Sequence, residues 1–118
     1  MNDDVFYTEI LSGLWISNFY TLNQIQFIKN KNISFIINLS GKDLNPNSNS
    51  FNINNGINVL DIVVNDNYNQ KYNNVYLLDN MNDILDKIHI QLINNKNVLI
   101  SCMTGFHSCV TVVCCYLL

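Results

Sequence analysis

The segment Asn97–Leu118, NVLISCMTGFHSCVTVVCCYLL, restricts the chain more than any other. Val98, Leu99 and Ile100 form a short β-prone apolar run that leads into Cys102. Gly105 then marks a tight turn, and from Ser108 to Leu118 neither Gly nor Pro interrupts the apolar stretch. This order predicts a buried strand, a small loop and a central helix that is apolar nearly all round. A helix start carries unpaired N–H groups and the positive end of the macrodipole, so a loop wound around it suits an anion such as phosphate. A thiol at the same place is favoured as thiolate. Nucleophile and anion cradle therefore coincide.

The preceding residues alternate between strand and helix patterns. EILSGLWI at 9–16 places apolar pieces on either side of Ser12 and Gly13, which predicts a hairpin with Trp15 turned into the core. Leu22, Ile25 and Ile28 share one face of a helix over 21–30, with Thr21 as its cap. ISFIINL at 33–39 predicts a buried strand, residues 40–56 a polar surface loop, and INVLDIVV at 57–64 another strand. A polar loop holding Asp66 follows. Leu77, Met81, Ile84, Leu85, Ile88 and Leu92 recur at spacings of three and four, so 72–93 is an amphipathic helix with His89 at or near its surface. Together these elements predict an α/β fold with a central, mostly parallel sheet flanked by helices. Ligands in such sheets bind at the carboxyl ends of the strands, where Cys102 falls.

A length of 118 residues predicts one domain over 1–118. With 48% apolar and 13% charged residues the composition is that of a globular chain. Six Lys and Arg in total and a net charge of −3 argue against nucleic acid as a partner. Cys102, Cys109, Cys114 and Cys115 lie too close together to staple distant segments, which implies reduced thiols and an intracellular, cytoplasmic or nuclear setting. Cys109, Cys114 and Cys115 are expected as core-packing thiols. Cys102, His107 and Cys109 match no structural zinc spacing, so neither a metal nor another cofactor is expected. Met1–Asp4 is polar, unlike a signal peptide, and no apolar run reaches the ~20 residues of a membrane span. The abundant asparagines between apolar segments look like loop filler.

At Cys102 and Gly105 the chain resembles the dual-specificity protein phosphatases, members of the cysteine-dependent protein tyrosine phosphatase superfamily. Their signature is His-Cys, two residues, Gly, two residues, Arg, then Ser or Thr. Cys102 and Gly105 are in register, whereas Ser101 stands at the His position, Ser108 at the Arg and Cys109 at the hydroxyl. The N-terminal Ile10-Leu11-Ser12-Gly13-Leu14 and the strand end Ile37-Asn38-Leu39 extend the likeness. Val63-Val64-Asn65-Asp66 fits the strand end that supplies the family's general acid. The resemblance thus implies a tyrosine-phosphatase-like fold of the dual-specificity type. It makes Cys102 the nucleophile equivalent, Asp66 the general-acid equivalent, and Met103, Thr104, Gly105, Phe106, His107 and Ser108 the phosphate-binding loop. Family members continue with further helices, so the C-terminus looks shortened and its apolar end is expected to invite self-association.

Each departure removes a separate task. The family Arg forks two N–H donors onto the phosphoryl oxygens, a planar, charged job that Ser108 cannot do. By analogy with a removed oxyanion donor, such a loss costs about 10²–10³-fold or more in rate. Cys109 remains as a weak donor toward the thiolate. Three functions stay open from the sequence. The first is a pseudophosphatase that binds a phosphorylated protein, at phosphotyrosine or at phosphothreonine or phosphoserine, or that competes with an active relative. The second is an active protein tyrosine/serine/threonine phosphatase using Cys102 and Asp66 without a metal. The third is a redox or assembly element, in which Cys102 and Cys109 form a reversible disulfide.

Overall fold

Strand Leu14–Asn18 alternates side chains between two apolar layers, and that alternation organises the whole computed structural model. The structure describes residues 5–40, 57–62, 70–103 and 108–118, without the side chains of Ile25 and of 70–78. The elements are β1 (Tyr7–Leu11), β2 (Leu14–Asn18), a 3₁₀ helix (Phe19–Asn23), α1 (Ile25–Asn30), β3 (Ile33–Asn38) and β4 (Asn58–Asp61). They continue with α2 (Gln70–Ile93), β5 (Asn97–Cys102) and α3 (Ser108–Leu117). The strands form one sheet in the order β1-β2-β5-β3-β4. Among the described residues only the β1–β2 pair is antiparallel; β2–β5, β5–β3 and β3–β4 are parallel. The expected α/β architecture with a mostly parallel sheet is the one observed.

On one face of the sheet Leu14, Ile16, Val98, Ile100 and Cys102 pack with Met81, Ile84 and Ile88 of α2 and Cys109, Val112 and Val113 of α3. On the other, Leu99, Ile33 and Ile36 pack with Leu22 and Ile28. Burial on both faces explains why β5 reads as a continuous apolar run, with Val98, Leu99 and Ile100 all fully buried. In β3 the register against β5 shifts between Ile33 and Phe35. Two residues that plain alternation would put on one face therefore serve opposite layers.

Several expectations change in detail. The helix expected over 21–30 is divided into the 3₁₀ helix and α1, and its cap is Asn18 rather than Thr21. Thr21 is buried instead, its hydroxyl 2.9 Å from both Asn18 Oδ1 and the Phe6 carbonyl. Trp15 is half-buried against Phe27 and Tyr7, with Lys31 Nζ 5.3 Å from its ring centre. β4 ends at Asp61, and the 40–56 loop beyond Ser40, Val63, Val64 and Asp66 lie outside the described residues. α3 is not apolar-buried all round: Val110, Thr111, Cys114 and Leu117 are exposed while Ser108, Cys109, Val112 and Val113 face the core. Of the cysteines expected in the core, Cys114 is exposed and Cys115 half-buried.

Candidate active site

Four polar or nucleophilic residues end the parallel strands on one edge of the sheet. Asn18 of β2 stands in register with Cys102 of β5, and Asn38 of β3 with Ser101 of β5 and Asp61 of β4. Backbone and side-chain hydrogen bonds tie these ends together. Leu39 N donates to Ser101 O at 2.7 Å, Phe19 N to Met103 O at 3.4 Å, and the Ser101 hydroxyl to Asn18 O at 3.1 Å. Asn38 Nδ2 donates to Asp61 Oδ1 at 2.7 Å, and its Oδ1 accepts from Ser40 N at 3.1 Å. The edge is a braced frame. Cys102 is its central member, because β5 lies between β2 and β3.

Cys102 ends β5 and Ser108 begins α3, the strand-then-helix order that the sequence predicts. Met103 is half-buried and Ser108 buried. Thr104, Gly105, Phe106 and His107 lie outside the described residues, as does Asp66. Of the residues singled out in the sequence, the structure therefore places Cys102, Met103, Ser108 and Cys109.

Cys109, in the second position of α3, brings its sulfur to 3.0 Å from Cys102 Sγ, and both side chains are fully buried. The two thiols share a hydrogen bond. The Cys109 thiol is held far above the ordinary thiol range, first by that bond to Cys102, then by burial, then by the negative charge a Cys102 thiolate places beside it. In that bond the Cys102 thiol donates to the Cys109 sulfur. The contact joins the end of β5 to the first turn of α3. The signal was visible in the sequence as a Cys seven residues after a Cys across a strand-to-helix turn.

The polar cavity of about 130 Å³ lined by Ser34, Asn58, Gln91, Asn94 and Lys96 lies elsewhere, near the amino ends of β3, β4 and β5. His89 is exposed on α2, its Nδ1 3.3 Å from Tyr116 Oη of α3, and takes no part in the strand-end frame. Among the described residues no three of His, Cys, Asp and Glu gather as a metal-ligand group, and no helix is long and apolar enough to cross a membrane.

No family model matches the chain, and no curated protein matches it. Solved structures do. DUSP15 superposes with a TM-score of 0.76 at 22% identity, over 94% of this chain and 64% of that one. The PTP-2 phosphatase of Cydia pomonella gives 0.73 at 21% identity, over 94% and 68%. The human tyrosine phosphatase-like serine/threonine/tyrosine-interacting protein gives 0.72 at 18% identity, over 94% and 71%. The chain thus spans somewhat less than two thirds of the length of DUSP15. Sheet order, helix placement and these superpositions together establish a protein-tyrosine-phosphatase-like fold of the dual-specificity type.

Proposed function

We propose that the chain is a pseudophosphatase: a dual-specificity phosphatase-like module that binds phosphorylated protein, or competes with an active relative, rather than turning phosphate esters over. The observation that carries this reading is Ser108 at the first residue of α3, where the resembled signature has its Arg, beside a Cys102 that keeps its place at the end of β5. A helix start next to Cys102 still offers backbone N–H donors to a phosphoryl group. What Ser108 lacks is the charged bidentate grip that follows charge into the transition state. Binding then outlasts catalysis, because amide donors serve ground and transition states alike, which favours affinity without rate.

One specific observation favours a second reading, residual hydrolysis at phosphotyrosine, phosphothreonine or phosphoserine. The Cys109 thiol, at the position where the resembled signature has its hydroxyl, lies 3.0 Å from Cys102 Sγ, with Asp66 as the matching general acid. The deciding experiment measures turnover of a small aryl phosphate and a phosphotyrosine peptide by the natural chain, by Ser108→Arg and by Cys102→Ser. The expected outcome is a silent natural chain and a Ser108→Arg variant at least about 10²-fold more active. Turnover by the natural chain that Cys102→Ser abolishes establishes the second reading. Silence of both, with no phosphopeptide or oxyanion binding by titration calorimetry, removes the phosphate-based readings.

A further inference from the structure

We propose that Asp61 selects the ligand of the strand-end frame: a phosphorylated protein segment that carries an arginine within about three positions of its phosphorylated residue. The inference deepens the phosphoprotein-binding reading above and rests on it for the place of the phosphoryl group.

Charge at the strand ends carries the argument. Of Asn18, Asn38, Asp61, Ser101 and Cys102, which close the parallel strands on this edge, Asp61 holds the one carboxylate and none holds a cation. Asp61 is exposed, and its Oδ1 accepts from Asn38 Nδ2 at 2.7 Å. That bond fixes the carboxylate on the frame and leaves Oδ2 without a partner among the described residues. The basic residues lie elsewhere. All six in the chain are lysines. Among the described residues, Lys31 and Lys96 sit just before β3 and β5, at the opposite edge of the sheet. Lys29 is in the last turn of α1, and Lys87 is paired at 2.8 Å with Asp83 on α2.

A phosphoryl group arriving beside Cys102 therefore meets a hydroxyl at Ser108, where the resembled signature has its Arg, and a carboxylate nearby at Asp61. A ligand that brings its own guanidinium offsets both, pairing with Asp61 and neutralising part of the phosphoryl charge next to it. Arginine suits this better than lysine, because its planar fork presents two N–H donors to a carboxylate and it is always charged. The spacing allows it. Asn38 is in register with Asp61 on one side and Ser101 on the other, so Asp61 stands two strand spacings, about 10 Å, from the residue before Cys102. An extended segment advances about 3.3 Å per residue, so the second or third residue from the phosphorylated one covers that span.

The test titrates the full chain by calorimetry, at low ionic strength, with three phosphotyrosine peptides. They are alike except at the second and third positions on each side of the phosphotyrosine, which hold arginine, alanine or glutamate. The expected order of affinity is arginine, alanine, glutamate, with the arginine peptide about threefold to fivefold tighter than the alanine peptide. Asp61→Asn keeps an oxygen for Asn38 and removes the charge, so it should bring the arginine and alanine peptides to equal affinity. Asp86→Asn, the same change of charge at an exposed position of α2, should keep the preference. Circular dichroism confirms that each variant is folded. Equal affinity for the arginine and alanine peptides in the natural chain, or a preference that survives Asp61→Asn, would overturn this inference and leave the phosphopeptide reading standing. Binding of none of the three, or equally tight binding of the arginine peptide without its phosphate, would overturn both.

Discussion

Asn18 does three jobs with one carbonyl oxygen. Its Oδ1 accepts from Phe6 N at 3.2 Å, from Thr21 N at 3.2 Å and from the Thr21 hydroxyl at 2.9 Å, joining the N-terminal arm, β2 and the 3₁₀ helix. Its own carbonyl accepts from Ser101, one residue before the candidate nucleophile. Removing the side chain leaves the buried Thr21 donors without that acceptor. Asn18→Ala should therefore destabilise by about 1–3 kcal/mol in urea unfolding. Its neighbour Ser17 differs: the hydroxyl is buried with no hydrogen-bond partner among the described residues. Ser17→Ala in the same assay should be neutral or stabilising, since it removes a polar group that folding desolvates without return. Adjacent polar residues on one strand thus act with opposite sign, and nothing in their residue type says which is which. The same holds for other asparagines expected as filler. Asn32 and Asn95 take φ of 54° and 60°, a region asparagine tolerates better than most residues. Asn97 Nδ2 donates to Lys31 O at 2.9 Å, fastening α1's end to the start of β5.

At the scale of elements, the β1–β2 hairpin depends on its two-residue turn. Gly13 has a φ of +90°, and a Cβ there would meet Asn97 Oδ1 at 3.0 Å and Leu92 Cδ2 at 3.3 Å. Its carbonyl also accepts from Val98 N at 2.8 Å, so the turn is tied to the strand that carries Cys102. Gly13→Ala should cost about 1–2 kcal/mol from backbone strain alone. Chemical denaturation measures the loss, and an unchanged midpoint would mean that the turn relaxes freely. α2 shows how an amphipathic pattern becomes a position. Met81, Ile84 and Ile88 are buried, Leu85 and Leu92 pack at the margin, and the Lys87–Asp83 ion pair at 2.8 Å lies on the outer face. That pair is solvent-screened and contributes little. The helix is held by its apolar stripe, which is why its existence was plain in the sequence. α3 was harder to place, because its composition is apolar on every side. Only its seat on β5 and α2 separates the buried Cys109, Val112 and Val113 from the exposed Val110, Cys114 and Leu117.

Over the whole molecule, stability is graded across the sheet. β5 is flanked by β2 and β3 and buried on both faces, whereas β1 is an edge strand with Tyr7, Glu9, Ile10 and Leu11 exposed. Native-state hydrogen exchange should therefore find the slowest amides in Val98–Ser101 and markedly faster exchange in β1; equal protection of the two strands would contradict this gradient. The candidate nucleophile thus ends the strand expected to be the most protected, which fixes its place. By itself the sequence determined the order of strands and helices, the parallel character of the sheet and the position of Cys102 between a strand and a helix. Apolar periodicity and breakers are local, so these features are written in consecutive residues. The tertiary structure alone decided that Asn18 rather than Thr21 caps the 3₁₀ helix. It also decided that a register shift in β3 divides Ile33 from Phe35, and that Cys114 is exposed and Cys115 half-buried while Cys109 faces the core. Each depends on which side chains three separate segments bring to one point, and that follows from the rotation of a helix on a sheet, which no single stretch of sequence encodes.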